Sequence, residues 1–130
     1  PLIKIASGGE LSRISLAIQV ITAQTSQIPS LVFDEIDVGI GGGVAIVVGE
    51  LLRQLGQRTQ ILCVTHQAQV ASHGQHHFFV SKISAEKSTV TKIEKLSDKG
   101  VIKEIARMLA GDNYSEESLA HAERMVASNW

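Results

Sequence analysis

Leu31-Val32-Phe33-Asp34-Glu35 decides how this chain is read. Four positions running from Leu31 to Asp34 form a short apolar stretch ending in acid, the length of a buried parallel strand. Two adjacent carboxylates close it. Neighbouring residues of a strand point to opposite faces, so Asp34 and Glu35 should do different jobs. One can hold Mg²⁺, directly or through water. The other can orient or deprotonate a water that attacks a phosphate. The plainer alternative is a solvated strand end that happens to be acidic.

Outward from that strand, two other stretches can touch the same chemistry. On the N-terminal side lies Ser7-Gly8-Gly9-Glu10, a glycine turn opening a helix predicted over 10–24. Leu11, Ile14, Ile18 and Ile21 recur there at helical spacing. Glycines let backbone N–H groups approach an anion, and the helix turns its positive end to the same spot. Ser7 can cap the helix, with Glu10 completing a capping box, or it can bind a phosphate oxygen. Taken alone, the turn reads as a capped helix start. On the C-terminal side, a second buried strand is predicted over 60–65 and leads into Thr65-His66. A histidine at the C-terminal end of a parallel strand lies where open α/β sheets bind ligands. His66 could donate a hydrogen bond to a γ-phosphate or to the attacking water. No GxxxxGK(S/T) phosphate loop occurs anywhere in the sequence, so the pattern is half of an ATP site.

The rest of the chain frames these stretches. Residues 37–43 hold four glycines and no helical periodicity, which predicts a loop. Val44, Val47, Val48, Leu51, Leu52 and Leu55 give one wide apolar helical face, stopped by Gly56. One or two helical turns are expected over 67–72, then strands over 78–83 and 89–96 with a polar hairpin connection over 84–88. Val101, Ile102, Ile105, Ala106 and Leu109 mark a helix ended by Gly111. Ser115 caps a last helix with Leu119, Ala122, Met125 and Val126 on its apolar stripe. Helix and strand alternate first, which predicts an α/β lobe of parallel strands flanked by helices, with a C-terminal hairpin and two helices.

Composition excludes several classes. The chain has 130 residues, enough for one domain or lobe, read here as a single unit over 1–130. A formal net charge of −1 gives no electrostatic case for a broad grip on a polyanion. The single Cys63, within Ile61-Leu62-Cys63-Val64, forbids an internal disulfide and reads as a small buried hydrophobe with a raised thiol pKa. No stretch is apolar and long enough to span a membrane. His73, His76 and His77 have neither a cysteine nor a spaced carboxylate to complete a tetrahedral metal site. The chain opens on Pro1 just before the glycine turn, which predicts a piece of a longer protein.

In this order, Ser7-Gly8-Gly9-Glu10, Leu31 to Glu35, Asp37 and Thr65-His66 resemble the C-terminal half of an ABC-type ATPase head, a P-loop NTPase fold. Transporter heads usually read LSGGQ at the turn. Ala6-Ser7-Gly8-Gly9-Glu10-Leu11-Ser12-Arg13 resembles instead the SMC-like branch that works on DNA, and within it the double-strand-break repair members. The resemblance continues through Ala17-Ile18-Gln19-Val20-Ile21-Thr22-Ala23, Ile36-Asp37-Val38-Gly39-Ile40 and the two last helices, and puts Trp130 at or near the natural C-terminus.

It implies specific roles. Asp34 would help hold Mg²⁺, directly or through water, and Glu35 would be the catalytic base. His66 would sense the γ-phosphate. Ser7, Gly8, Gly9 and Glu10 would meet ATP bound by the opposite subunit, and Asp37 would report across the dimer interface. The implied partners are a second copy of the head, the protein's own N-terminal lobe and DNA through the full-length protein, with no membrane. The implied setting is the cytoplasm, at the nucleoid. The competing readings are a transporter's nucleotide-binding subunit and a non-catalytic dimerisation module.

Overall fold

The computed structural model describes the backbone of residues 8–25, 27–34 and 36–129, and side chains from residue 17 onward within them. The chain divides into two compact units, residues 1–73 and 74–130.

The first unit runs α1 (Gly8–Thr25), β1 (Ser30–Asp34), α2 (Gly42–Gly56), β2 (Gln60–Val64) and the single turn α3 (Ala68–Ala71). β1 and β2 pair in parallel, with Ser30 opposite Gln60 and Asp34 opposite Val64. Parallel strands need a crossover, and here the helix between them covers one sheet face. That face carries Leu31, Phe33, Ile61 and Cys63. Phe33, only 3% exposed, packs in one cluster with Val48, Leu52 and Leu55 of α2 and with Val20 and Ala23 of α1. Burying such a ring contributes about 1.5–3 kcal/mol.

The other face of the same sheet is bare. Val32 is 68% and Val64 59% exposed, with Leu62 beside them. Both strands were expected to be buried. Instead, apolar side chains alternate between a packed and an open side, because the described residues supply a covering helix on one side only. The same correction applies to α1. Ile18 and Ile21, on the expected stripe, are exposed, while Val20 and Ala23 face the core. Apolar residues such as Ile18, Val20, Ile21 and Ala23 lie on different sides of this helix, so its periodicity could not choose a face. On α2 the expected face is nearly right. Val48, Leu52 and Leu55 are buried as predicted, but Val47 is exposed and Ala45 and Gly49 replace it.

Gly49 has a specific reason to lack a side chain. A Cβ there would run into the imidazole of His73. That ring is buried, and its Nδ1–H donates to the Gln69 carbonyl at 2.8 Å. The His73 carbonyl in turn accepts from Arg53 Nη1 at 2.8 Å, which ties the end of the unit back to α2.

The second unit is the hairpin β3 (Phe78–Ala85) and β4 (Ser88–Lys95), followed by α4 (Asp98–Ala110) and α5 (Glu116–Ala127). The strands run further into the polar segment than expected, to Ala85 opposite Ser88. The connection is therefore Glu86-Lys87 alone. Backbone pairing needs no apolar side chain at an exposed hairpin end, and neither turn residue carries the usual glycine signal. Ser97 and Ser115 cap the two helices, accepting from Gly100 N and Ser118 N, each at 3.2 Å. Gly111, with φ of 84°, ends α4 in the left-handed region. Val101, Ile105, Ala106, Ala122 and Val126 form the core between them, as their spacing predicted.

Gly49→Ala should destabilise the protein by about 1–3 kcal/mol, since the methyl forces the buried His73 ring aside. Gly41→Ala, with open space at its Cβ, is the control. Denaturant unfolding midpoints check this; an unchanged midpoint for Gly49→Ala would mean that His73 does not pack on α2.

Candidate functional site

The C-terminal ends of β1 and β2 lie side by side because the two strands are parallel and in register to Asp34 and Val64. Everything that follows either strand is thereby brought to one edge of the unit. Asp34 is exposed and shares the open sheet face with Val32. Glu35 and Ser7 lie outside the described residues. Gly8, Gly9 and Glu10 form the first turn of α1, so the helix begins two residues earlier than expected, within the glycine pair. Its leading N–H groups are those that no intrahelical carbonyl can satisfy.

Two loops meet at this edge. The first follows β1 and is a turn over residues 36–39, closed by Ile40 N donating to the Asp37 carbonyl at 3.4 Å. Gly39, with φ of 74°, takes the left-handed position such a turn demands. Ile36 and Ile40 are both buried and anchor the turn at each end. The second loop follows β2 and holds Thr65, His66 and Gln67.

Asp37 joins them. Its side chain is 1% exposed. Oδ2 accepts from Thr65 Oγ1 in a short hydrogen bond and from the His66 backbone N–H at 3.1 Å. The same oxygen lies 3.5 Å from His66 Nδ1, while the imidazole itself is 75% exposed. Oδ1 is buried with no hydrogen-bond partner among the described residues. Gln67 answers in the other direction: its Nε2 donates to the Asp37 carbonyl at 2.9 Å and to the Ile40 carbonyl at 3.1 Å. A carboxylate from the first loop thus holds the second, and an amide from the second holds the first. A buried carboxylate without such donors would be costly.

The structure therefore brings together Asp37 and His66, with Asp34 at the end of the neighbouring strand. It turns the Asp37 carboxylate inward, onto its own chain. Sequence reading did not single out Gln67, nor give Thr65 a role of its own. Their signal was only position: polar side chains directly after a strand end, two residues either side of the loop's centre.

Cys63 lies under this edge. Its thiol is pushed up to about 12, first by burial and then by the negative charges of Asp37 and Asp34. That agrees with its reading as a small buried hydrophobe. Burial also pushes His77 below the usual histidine value, against a hydrogen bond to the Gly74 carbonyl at 3.2 Å. Among the described residues, no group of three or more metal-ligating side chains clusters together, and no helix is long and apolar enough to cross a membrane.

No family model matches the chain. Curated relatives do. Over 126 residues, 97% of this chain, it is 56% identical to the DNA repair protein RecN of Haemophilus influenzae and 55% identical to that of Vibrio cholerae. Over these residues the chain is similar to the C-terminal part of RecN. The RecN of Deinococcus radiodurans matches at 46% over 127 residues. The chain spans 22–23% of the length of these RecN proteins and corresponds to their C-terminal part. Among solved structures, one from work on the ATP-driven dimerization and DNA-stimulated activation of SMC ATPases matches with a TM-score of 0.65 and 23% identity. The match covers 78% of this chain and 60% of that one. RecN likeness in sequence and SMC-ATPase likeness in fold agree with the α/β reading of parallel strands between helices.

Cys63 should resist alkylation in the native protein. With its thiol at about 12, only about one molecule in ten thousand carries the reactive thiolate at pH 8. Iodoacetamide labelling followed by mass spectrometry should run at least about a hundredfold slower than in denaturant. Fast native labelling would mean that the inner face of β2 is not packed against α2.

Proposed function

We propose that this chain is the C-terminal lobe of an SMC-like ATPase head, working in DNA double-strand-break repair through ATP-dependent pairing of two heads. The observation that carries the reading is the shared edge of β1 and β2. There, an exposed strand-end carboxylate, Asp34, adjoins a loop that presents His66 on a buried aspartate. Its likeness to RecN in sequence and to an SMC ATPase in fold supports the same reading.

The residues would divide the work as follows. Asp34, a hard oxygen donor open to solvent, suits Mg²⁺ that keeps several of its waters. Bound there, the ion would neutralise charge developing on the phosphates. Glu35 would take the proton of the attacking water. His66 would face the γ-phosphate or that water with an exposed imidazole. Ser7, Gly8, Gly9 and Glu10 would bring the start of α1 to ATP held by a second head, where unpaired N–H groups and the helix dipole favour an anion. This explains how a chain with no phosphate loop can still carry a phosphate-binding turn.

The bare sheet face and the outer side of α1 support a further partner, the N-terminal lobe of the same protein. Parallel sheets are normally covered on both faces, and Val32, Leu62, Val64, Ile18 and Ile21 are apolar yet uncovered by the described residues. That lobe would also supply the phosphate loop. DNA would be engaged by the full-length protein, since this segment has no strong positive charge.

Three measurements test the reading. Calorimetric titration of the 130-residue chain with Mg-ATP should show no tight binding, because the amide cradle and lysine of a phosphate loop are missing. Micromolar affinity would sink the half-site assignment. In the full-length protein, Glu35→Gln should slow hydrolysis by at least roughly a hundredfold with ATP binding retained, since the amide keeps the shape and loses the basicity.

Ser7→Arg in the full-length protein should abolish nucleotide-driven dimerisation while ATP still binds, because the cation would fill the space the opposing γ-phosphate must enter. Sizing by light scattering with and without ATP reads this directly. Normal dimerisation and ATPase in that variant would reduce the turn to a helix cap.

A further inference from the structure

We propose that Asp37 acts inside its own chain as the positioning residue of His66, keeping ring Nδ1 turned inward so that Nε2 is the nitrogen presented outward. The ring is 75% exposed, and among the described residues its only charged neighbour is Asp37 Oδ2, 3.5 Å from Nδ1. An exposed imidazole on a loop would otherwise rotate and exchange its two nitrogens freely. Here the loop is fixed at its root: Oδ2 holds the His66 backbone N–H at 3.1 Å and the Thr65 hydroxyl as well. Asp37 cannot swing away, because Ile36 and Ile40 are buried on either side of it. Gln67 pins the carbonyls of Asp37 and Ile40 at the same time. The Asp37 carboxylate and the His66 backbone are thus both held.

The carboxylate also selects the proton's place on the ring. A lone pair on Nδ1 would face the negative oxygen and be repelled by it. A proton on Nδ1 would be attracted. The neutral ring therefore carries its hydrogen on Nδ1, and Nε2 keeps its lone pair outward, as an acceptor. An outward acceptor can take a hydrogen bond from water. Donation to a phosphate oxygen would need a proton on Nε2 as well. This is the logic by which an outer partner fixes a working histidine's tautomer. What Nε2 meets outside rests on the ATPase-head reading, whereas the ring's tautomer and orientation do not.

The test uses the full-length protein labelled with ¹⁵N-histidine, following the His66 ring nitrogens at neutral pH. His66→Gln assigns the signals. The wild type should show the proton on Nδ1, and Asp37→Asn should shift the ring toward the Nε2–H form, since the amide keeps the shape without the charge. Wild-type His66 in the Nε2–H form, or an unchanged tautomer in Asp37→Asn, overturns the proposal. In ATPase assays, Asp37→Asn should lower kcat by about tenfold while KM for ATP stays within about twofold, the size typical of losing an orienting partner. Loss of the Nδ1–H form in Asp37→Asn with an unchanged kcat leaves the tautomer role of Asp37 standing and overturns the part of Nε2 in hydrolysis. Should the wild type hydrolyse no ATP at all, the ATPase reading fails, and the tautomer measurement still decides the role of Asp37.

Discussion

The parallel ladder between β1 and β2 is the constraint on which the first unit depends. Because the strands run the same way and stay in register from Ser30–Gln60 to Asp34–Val64, both chains leave the sheet at the same edge. A helix must cross back between them, and α2 does so over the face that carries Phe33 and Cys63. A slip of one residue would turn Phe33 to the open side and Asp34 into the core. The hydrophobic cluster and the position of the candidate site are therefore two consequences of one pairing.

At that edge the main electrostatic problem is a buried carboxylate. Asp37 is enclosed yet receives its hydrogen bonds from one short loop, through Thr65, the His66 backbone and the proximity of the His66 ring. Low polarity around such a network strengthens each of these bonds and raises the cost of losing one. The return bonds from Gln67 make the arrangement reciprocal, so the turn after β1 and the loop after β2 hold each other in place. Rigidity here does not come from secondary structure; neither loop is helical or extended. It comes from complementary donors and acceptors placed by the strands beneath.

The two sides of the β1–β2 sheet differ in kind. One is a packed core, closed by α2, with α1 contributing Val20 and Ala23. The other leaves valine and leucine side chains open to solvent, as does the outer side of α1. Exposed apolar surface of this contiguity marks an interaction face more often than a free one. On the proposed reading, the same open face that awaits the rest of the head also carries Asp34, which places the metal-binding carboxylate at the junction and not in the interior.

Much of this was legible in the sequence because it depends on local chemistry. The apolar run ending in Asp34-Glu35, the helix stop at Gly111, the cap at Ser115 and the burial of Val101, Ile105, Ala106, Ala122 and Val126 follow from period, turn residues and side-chain type. The ordered motifs likewise resemble those of an ABC-type, SMC-like lobe. Other features needed the tertiary structure. Periodicity could not tell which face of α1 meets the core, since its apolar residues lie on more than one side, nor that only one side of the sheet is covered. It could not show that Asp37 points inward, because an aspartate in a glycine-rich loop reads as solvated until Ile36 and Ile40 are seen buried beside it. Least visible was the pairing of Asp37 with Thr65, His66 and Gln67. Those residues lie 28 or more positions away in the chain, and only the parallel register of two strands brings them within hydrogen-bond reach.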